Sequence, residues 1–97
     1  MIVIIATLEV RPGRTAEFER FMTELAKTVV ASEPATHVYQ LCRIPGHESR
    51  YRMIEFYTDQ AAIDAHVRTP WFREALPKFE ELLAAKPQLE FLRTIDG

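Results

Sequence analysis

The sequence predicts one α+β domain with the ferredoxin-like, split βαβ arrangement, in which a four-stranded antiparallel sheet carries helices on one face. Three observations support this fold class. The chain has 97 residues, so a single domain is expected over 1–97. Hydrophobic residues make up 47% of it, which indicates a packed core. The apolar periodicity changes in the order strand, helix, strand, strand, helix, strand.

The first strand and the first helix open the chain. Residues 2–10 are apolar at nearly every position, which is typical of a strand buried on both faces. Pro12-Gly13 ends this strand. Residues 15–31 place an apolar stripe on one side of a helix, with Thr15 as the expected N-cap. Glu33-Pro34 then ends the helix, because the residue before a proline disfavours helical backbone.

Residues 36–44 and 50–58 predict a β-hairpin. Both segments are β-prone, and the connection at 45–49 is rich in turn-forming residues. The two strands are therefore expected to pair antiparallel. The side chains expected on one face of the first of them are His37, Tyr39, Leu41 and Arg43.

Two helix starts and a final strand complete the domain. Asp59 is a suitable N-cap, and Thr69-Pro70 is a second start signal because proline suits the first turn of a helix. Pro77 interrupts the second helical pattern and is expected to kink or split it, since proline lacks the amide donor. Residues 89–95 are typical of the last strand.

The first strand also predicts self-association. Its alternating side chains are Ile4, Ala6 and Leu8 on one face and Val3, Ile5 and Thr7 on the other. Both sets are largely apolar, although the helices cover only one face of such a sheet. A second copy of the sheet is the simplest cover for the other face, so we expect a homodimer that packs sheet against sheet.

Charge and composition argue against several classes of partner. The net charge of −2 gives no electrostatic basis for binding nucleic acid or an anionic membrane. No apolar run reaches the roughly 20 residues that span a bilayer, and the start of the chain looks like a strand rather than a signal peptide. Cys42 is the single cysteine and cannot form an intrachain disulfide, which fits a reducing cytoplasm; it could be a nucleophile but is expected to be a packing residue.

The segment 53–72 concentrates the groups that could do chemistry. Glu55 lies within a strand, His66 on the apolar side of a helix and Trp71 at the start of the next helix, so the three could converge on one pocket. A histidine titrates near neutral pH and can move a proton. His66 is therefore either a proton acceptor or a core histidine bonded to a backbone carbonyl.

Glu55 and the aromatic residues each allow a structural and a functional interpretation. Glu55 either has a functional role, in which it orients His66 or accepts a substrate proton, or forms an ion pair with Arg43 or Arg52. A tyrosine can donate a hydrogen bond to a phenolic oxygen, but it is also an ordinary sheet residue. Trp71 and Phe72 can wall an aromatic ligand or belong to the core. The two strands of the hairpin contain one histidine and three tyrosines to which these alternatives apply: His37, Tyr39, Tyr51 and Tyr57.

The sequence contains no motif for a bound cofactor. The three histidines lack metal-ligand spacing, and three glycines could hardly build a phosphate-binding loop or a dinucleotide fingerprint. No Ser-His-Asp pattern can be recognised. Any chemistry is therefore expected to proceed without a metal or an organic cofactor.

Four segments match a known family pattern. They are Arg11-Pro12-Gly13-Arg14, then Ser32-Glu33-Pro34 with Val38-Tyr39, then Met53-Ile54-Glu55-Phe56-Tyr57, then Ala65-His66 through Thr69-Pro70-Trp71-Phe72. With them the chain resembles, over nearly its whole length, the antibiotic biosynthesis monooxygenase superfamily and its small quinol-monooxygenase-like proteins. The resemblance implies a dimeric α+β barrel with a pocket in each subunit between the sheet and the helices.

The same resemblance implies an activity and site residues. Characterised relatives oxidise phenols or quinols with O₂ and no prosthetic group, while others degrade haem or isomerise small metabolites. Glu55, His66 and Tyr39 match the recurrent acid, histidine and second-strand tyrosine. Three positions depart from the pattern: Ala35-Thr36-His37 lacks the usual turn glycine, Ala6 stands where haem-degrading relatives have asparagine, and Pro77 lies in the last helix.

The leading hypothesis is a cofactor-independent monooxygenase acting on a small electron-rich aromatic compound such as a hydroquinone. In it, His66 takes the phenol proton, Glu55 holds the imidazole and Tyr39 bonds the ring oxygen. The expected substrate-pocket residues are His37, Tyr57, Trp71 and Phe72. The alternatives are a non-catalytic or stress-related dimer that binds a small ligand, a haem-binding or haem-degrading protein, and a small-metabolite isomerase.

Overall fold

The predicted fold class is confirmed. The structure is a computed structural model that describes residues 1–95, so the last two residues of the expected 1–97 domain lie outside the described residues. Its elements are β1 (Ile2–Glu9), α1 (Thr15–Ser32), β2 (Thr36–Arg43), β3 (Arg50–Tyr57), α2 (Gln60–Arg68), α3 (Pro70–Leu82) and β4 (Gln88–Arg93). The strands form one antiparallel sheet in the order β2-β3-β1-β4.

The two faces of the sheet follow from its register, and the alternation predicted for β1 is confirmed. Ile4 pairs with Glu55 of β3 and Phe91 of β4, whereas Ile5 pairs with Ile54 of β3. Because directly paired residues share a face, Glu55 and Phe91 lie on the inner face and Ile54 lies on the outer face. The α1 residues packed into the core on the inner face are Phe18, Met22, Leu25 and Val29.

Side-chain caps place α2 and α3 as the sequence predicts. The Asp59 carboxylate accepts a hydrogen bond from the Ala62 amide at 2.9 Å and caps α2. Thr69 ends α2 and caps α3, because its hydroxyl accepts a hydrogen bond from the Phe72 amide at 3.3 Å. Pro70 is the first residue of α3, where its missing amide donor costs nothing.

The predicted cap of α1 is wrong, and so is the predicted split of α3. Thr15 is the first residue of α1 rather than its cap, and the cap residue Arg14 instead forms an ion pair with Glu17 at 2.8 Å. Pro77 does not split α3, which runs unbroken from Pro70 to Leu82. Pro77 and Arg73 are both exposed, so water can satisfy the Arg73 carbonyl that proline leaves without an amide partner.

The edges of the sheet are irregular or uncovered. β4 is an edge strand, and all six of its residues are exposed. The register of β2 shifts between Thr36 and Val38, which is the signature of a β-bulge. His37 is the extra residue of the bulge, so strand alternation does not determine its face, and its placement on the face of Tyr39 stays a prediction. No helix within residues 1–95 is long and apolar enough to cross a membrane.

Candidate active site

A cavity of about 520 Å³ lies between the inner face of the sheet and helices α2 and α3. Apolar side chains form most of its wall, among them Ile4, Ile63 and Phe72. Glu55 and His66 both line it, so the structure brings these two predicted residues to one enclosure. The other residues with polar groups in the lining are Tyr39, Tyr57 and Lys86.

His66 is the buried polar residue at the centre of the site. It is 2% exposed, and its Nδ1 atom lies 2.9 Å from each oxygen of the Glu33 carboxylate. Its Nε2 atom, on the other side of the ring, is buried without a hydrogen-bond partner among the described residues. A buried nitrogen without a partner is costly, so this atom is suited to a ligand that enters the cavity.

Aromatic rings hold the imidazole in place. The centroid of the His66 ring lies 5.1 Å from that of Tyr39, 5.6 Å from that of Tyr57 and 4.9 Å from that of Phe72. These contacts come from β2, β3 and α3, so three elements enclose one side chain of α2. Rotation of the imidazole would have to displace at least one of them.

Glu33 is the functional candidate that sequence reasoning missed, since it was interpreted only as a helix end. It is the C-cap residue of α1, and its side chain is 10% exposed. A carboxylate at a helix C-terminus is opposed by the helix dipole, so an acid at this position signals a local donor that compensates for it. In the structure those donors include His66 and Trp71, whose indole Nε1 lies 2.7 Å from Glu33 Oε2.

Glu55 does not hold the imidazole, which corrects the role predicted for it. It accepts a hydrogen bond from the Tyr57 hydroxyl at 2.5 Å. Burial raises the pKa of Glu55 to about 7. The hydrogen bond from Tyr57 lowers this pKa, and the charge of Glu33 raises it further. The alternative ion pair with Arg43 or Arg52 is not formed, because Arg43 binds Glu19 at 2.7 Å and Arg52 lies on the outer face.

The two cavity tyrosines remain protonated donors. Burial raises the pKa of Tyr39 above its usual value, and the charges of Glu55 and Glu33 raise it further. Burial likewise raises the pKa of Tyr57, with the Glu55 carboxylate adding to the effect. Both hydroxyls therefore keep their protons at neutral pH and can donate hydrogen bonds.

Two of the predicted pocket residues lie outside the described cavity lining. His37 is exposed on the bulge of β2, where its Nε2 atom lies 2.7 Å from the Thr58 hydroxyl. Trp71 donates its indole N–H to Glu33, the carboxylate that contacts His66. Tyr57 and Phe72 do line the cavity, as the sequence predicts.

The mouth of the cavity is apolar and open. Four residues of the lining are themselves well exposed, at Val67 43%, Leu76 48%, Leu89 55% and Phe91 60%. A protein surface seldom exposes such a cluster without a use for it. The site thus combines an apolar opening with a buried imidazole nitrogen that has no partner among the described residues and an acid with a pKa of about 7.

Comparisons with known proteins agree with this architecture. The family model for antibiotic biosynthesis monooxygenase matches residues 1–78. A Bacillus subtilis (strain 168) protein, “Putative monooxygenase YcnE”, is 33% identical over 96 residues, which cover 97% of this chain and 96% of that protein. A crystal structure from Caulobacter crescentus CB15, named for the same family, is 36% identical with a TM-score of 0.93, covering 98% of this chain and 90% of that chain.

A third relative is longer than this chain. The uncharacterized Synechocystis sp. protein sll1783 is 26% identical over 95 residues, which cover 95% of this chain and 62% of that protein. This chain therefore spans less than two thirds of the length of that relative. Because the family model matches most of the chain and the YcnE match covers nearly all of it, this protein belongs to the antibiotic biosynthesis monooxygenase family.

Proposed function

We propose that this protein is a monooxygenase that uses O₂ and no bound cofactor to oxidise a small electron-rich aromatic compound of the quinol or phenol type. One observation carries the proposal: an imidazole held at Nδ1 by a carboxylate has its Nε2 atom unpartnered among the described residues, in an apolar cavity. Membership of the family and the name of the B. subtilis relative support the reaction type.

The chemistry needs little more than deprotonation and exclusion of water. Triplet O₂ reacts slowly with closed-shell molecules, whereas a phenolate can transfer one electron to it. The radical pair then forms a C–O bond, the ring carbon loses its proton, and cleavage of the O–O bond releases water. Hydroquinone and O₂ thus give hydroxybenzoquinone and water, and the substrate supplies all the electrons. The protein has to orient the substrate and shield the intermediates.

His66, Tyr39 and Glu55 have separate roles in this proposal. Nε2 of His66 accepts the phenol proton, because the hydrogen bond at Nδ1 leaves a lone pair on Nε2. Tyr39 donates a hydrogen bond to the ring oxygen. Glu55, with a pKa of about 7, returns a proton to the oxygen that leaves as water.

We also propose that the partner is a second copy of this chain. The outer face of the sheet carries an apolar patch that spans all four strands. This outer patch consists of Val3, Ile5, Val38, Ile54, Phe56 and Leu92. Leu92 is 43% exposed, and no described helix belongs to this face, so a self-complementary contact would bury the patch.

Oxygen consumption with a panel of substituted hydroquinones and naphthohydroquinones tests the activity, after subtraction of the enzyme-free rate. With ¹⁸O₂, mass spectrometry of rapidly quenched samples should find one labelled oxygen in the product. His66→Gln should lower kcat by about 100-fold or more, because the general base is lost. The matched control is His47→Gln, in the exposed turn between β2 and β3, which should leave kcat unchanged.

Other outcomes would favour the other hypotheses. A product without the label would reject the oxygenase, and equal rates in the wild type and His66→Gln would reject His66 as the base. Quinols that raise the melting temperature without turnover would indicate a ligand-binding protein. A haem absorption band that disappears in His66→Gln would indicate a haem-binding protein.

A further inference from the structure

We infer that Glu33 is the positioning residue for His66: it holds the ring so that Nδ1 carries the proton and Nε2 is free to accept one. The catalytic part of this inference rests on the function proposed above, whereas the geometric part does not. Glu33 is remote from His66 in the chain, by 33 residues, and reaches it from the end of α1.

Hydrogen-bond donors from three elements surround the Glu33 carboxylate. Trp71 Nε1 of α3 donates to Oε2 at 2.7 Å, and the Thr36 hydroxyl of β2 donates to Oε1 at 2.7 Å. Nδ1 of His66 lies 2.9 Å from both oxygens. An indole N–H can only donate, so Oε2 has to be an acceptor. An ionised carboxylate, which only accepts, satisfies all three neighbours at once.

The ionised Glu33 carboxylate determines the tautomer of the imidazole. A neutral His66 has to present its N–H to the carboxylate, so the proton sits on Nδ1. The atom left unprotonated is Nε2, which is the atom buried without a partner among residues 1–95. The rings of Tyr39, Tyr57 and Phe72 keep the imidazole from turning over.

Glu55, the other carboxylate of the cavity, does not compete for the imidazole. Its hydrogen bond comes from the hydroxyl of Tyr57, two residues along the same strand. The two acids therefore divide the work: Glu33 orients the base, and Glu55 faces the reacting molecule. Glu33→Gln should therefore change the tautomer of His66, whereas Glu55→Gln should not.

The tautomer can be measured directly in the free protein by ¹⁵N NMR of the His66 ring. The wild type should show a protonated Nδ1 and an unprotonated Nε2. In Glu33→Gln the amide has one acceptor oxygen and one N–H₂ donor; the indole of Trp71 can only donate, so the oxygen faces Trp71 and the N–H₂ group faces Thr36 and Nδ1 of His66. We expect the proton to move to Nε2, kcat to fall on the order of 100-fold and KM to change little.

Thr36→Val is the matched control for Glu33→Gln. It removes a different donor from the same carboxylate at nearly constant volume and leaves the contact between Glu33 and His66. In this variant the His66 tautomer should match the wild type, and kcat should fall far less than in Glu33→Gln. The indole N–H resonance of Trp71, the single tryptophan, reports in each variant whether the hydrogen bond to residue 33 persists.

Two results would overturn the inference. One is a wild-type His66 with the proton on Nε2, which can be detected even if Glu33→Gln does not fold. The other is an equal loss of kcat in Thr36→Val and Glu33→Gln, which would assign Glu33 to packing alone. Failure of the proposed function is a separate result, namely no turnover of any quinol by the wild type, and the tautomer measurement still decides the geometric part.

Discussion

Glu55 shows how a single side chain acquires its chemistry from its surroundings. It lies on the inner face between Ile4 of β1 and Tyr39 of β2. Burial there raises its pKa to about 7, and the hydrogen bond from Tyr57 only partly opposes the rise. Near neutral pH the carboxyl is therefore divided between its two protonation states. That balance suits a group that has to hold a proton and release it in one reaction cycle.

The raised pKa of Glu55 predicts that the free energy of unfolding falls as the pH rises from 4.5 to about 7. In this window the folded protein keeps a proton that the unfolded chain has released, so rising pH favours the unfolded chain, and the effect levels off above it. The loss is at most on the order of 3 kcal/mol. Glu55→Gln, measured by urea unfolding near pH 5 and near pH 8, should remove most of this pH dependence.

Glu19→Gln is the control, because the pKa of Glu19 is shifted in the opposite direction. Hydrogen bonds from Tyr51 at 2.6 Å and from Arg43 at 2.7 Å lower the pKa of the Glu19 carboxyl. The stability that Glu19 contributes is lost only as the pH falls through its lowered pKa. The decline towards pH 8 should therefore persist in Glu19→Gln. An identical pH dependence in the wild type and Glu55→Gln would show that the pKa of Glu55 is not raised.

The sequence allowed some site residues to be placed and not others, for physical reasons. Strand and helix periodicity fix which face a side chain occupies, and that was enough to bring Glu55 and His66 to one cavity. Glu33 could not be found this way, because its partners come from β2, α2 and α3 and depend on how these elements meet. His37 lies outside the described cavity lining, and the extra residue that interrupts the alternation of β2 at this point has no obvious signal in the sequence.

Among the elements, the junction of α2 and α3 does most to position the site. The Thr69 hydroxyl donates to the His66 carbonyl at 2.7 Å and accepts a hydrogen bond from the Phe72 amide at 3.3 Å. One residue thus ends α2 and begins α3, which brings the His66 and Phe72 rings within contact distance. The Thr69-Pro70 pair was sufficient to predict this junction, because both residues act through the backbone next to them.

The two prolines of α3 provide a prediction about helix stability. Pro77 lies inside the helix, where it removes the backbone hydrogen bond that an amide would donate to the Arg73 carbonyl. Pro70 lies in the first turn and removes no helical hydrogen bond. Pro77→Ala should therefore raise the free energy of unfolding by about 1–3 kcal/mol, less than the full helix-interior penalty because the unfolded chain also gains freedom. Chemical denaturation measures the change.

Pro70→Ala is the matched control in the same helix. It should leave stability unchanged or lower it by up to about 1 kcal/mol, since proline at the first helical position restricts the unfolded chain without straining the folded one. Similar stabilisation by both substitutions would contradict the account of α3. The sequence could not decide whether Pro77 breaks the helix, because the answer depends on whether the freed carbonyl is exposed to water.

For the whole molecule, the two faces of the sheet carry different features. Its inner face carries the cavity and its outer face carries the outer patch, and both can be anticipated from the alternation along β1. The register adds what the sequence lacked: the apolar positions lie together at one end of the outer face. Polar side chains occupy the other end, among them Thr7, Cys42, Arg52 and Gln88, and Gln40 and Glu90 flank the paired Ile54 and Ile5.

This asymmetry predicts a dimer that one charge can break. Ile54 pairs with Ile5 on one side and Gln40 on the other, which places it in the middle strands of the outer patch. In a twofold interface both subunits would contribute the carboxylate of Ile54→Glu, and burying an unpaired carboxylate costs several kcal/mol. Light scattering coupled to size-exclusion chromatography should give twice the chain mass for the wild type and the chain mass for Ile54→Glu, with circular dichroism unchanged.

Val30→Glu is the control for the added charge. Val30 is 54% exposed on α1, which packs on the inner face, so the same substitution there should leave a dimer. A monomeric wild type at micromolar concentration, or a dimer that persists in Ile54→Glu, would place the contact elsewhere. If the dimer dissociates while oxygen consumption per chain is retained, each subunit carries a complete site, as expected from a cavity lined by all seven elements of one chain.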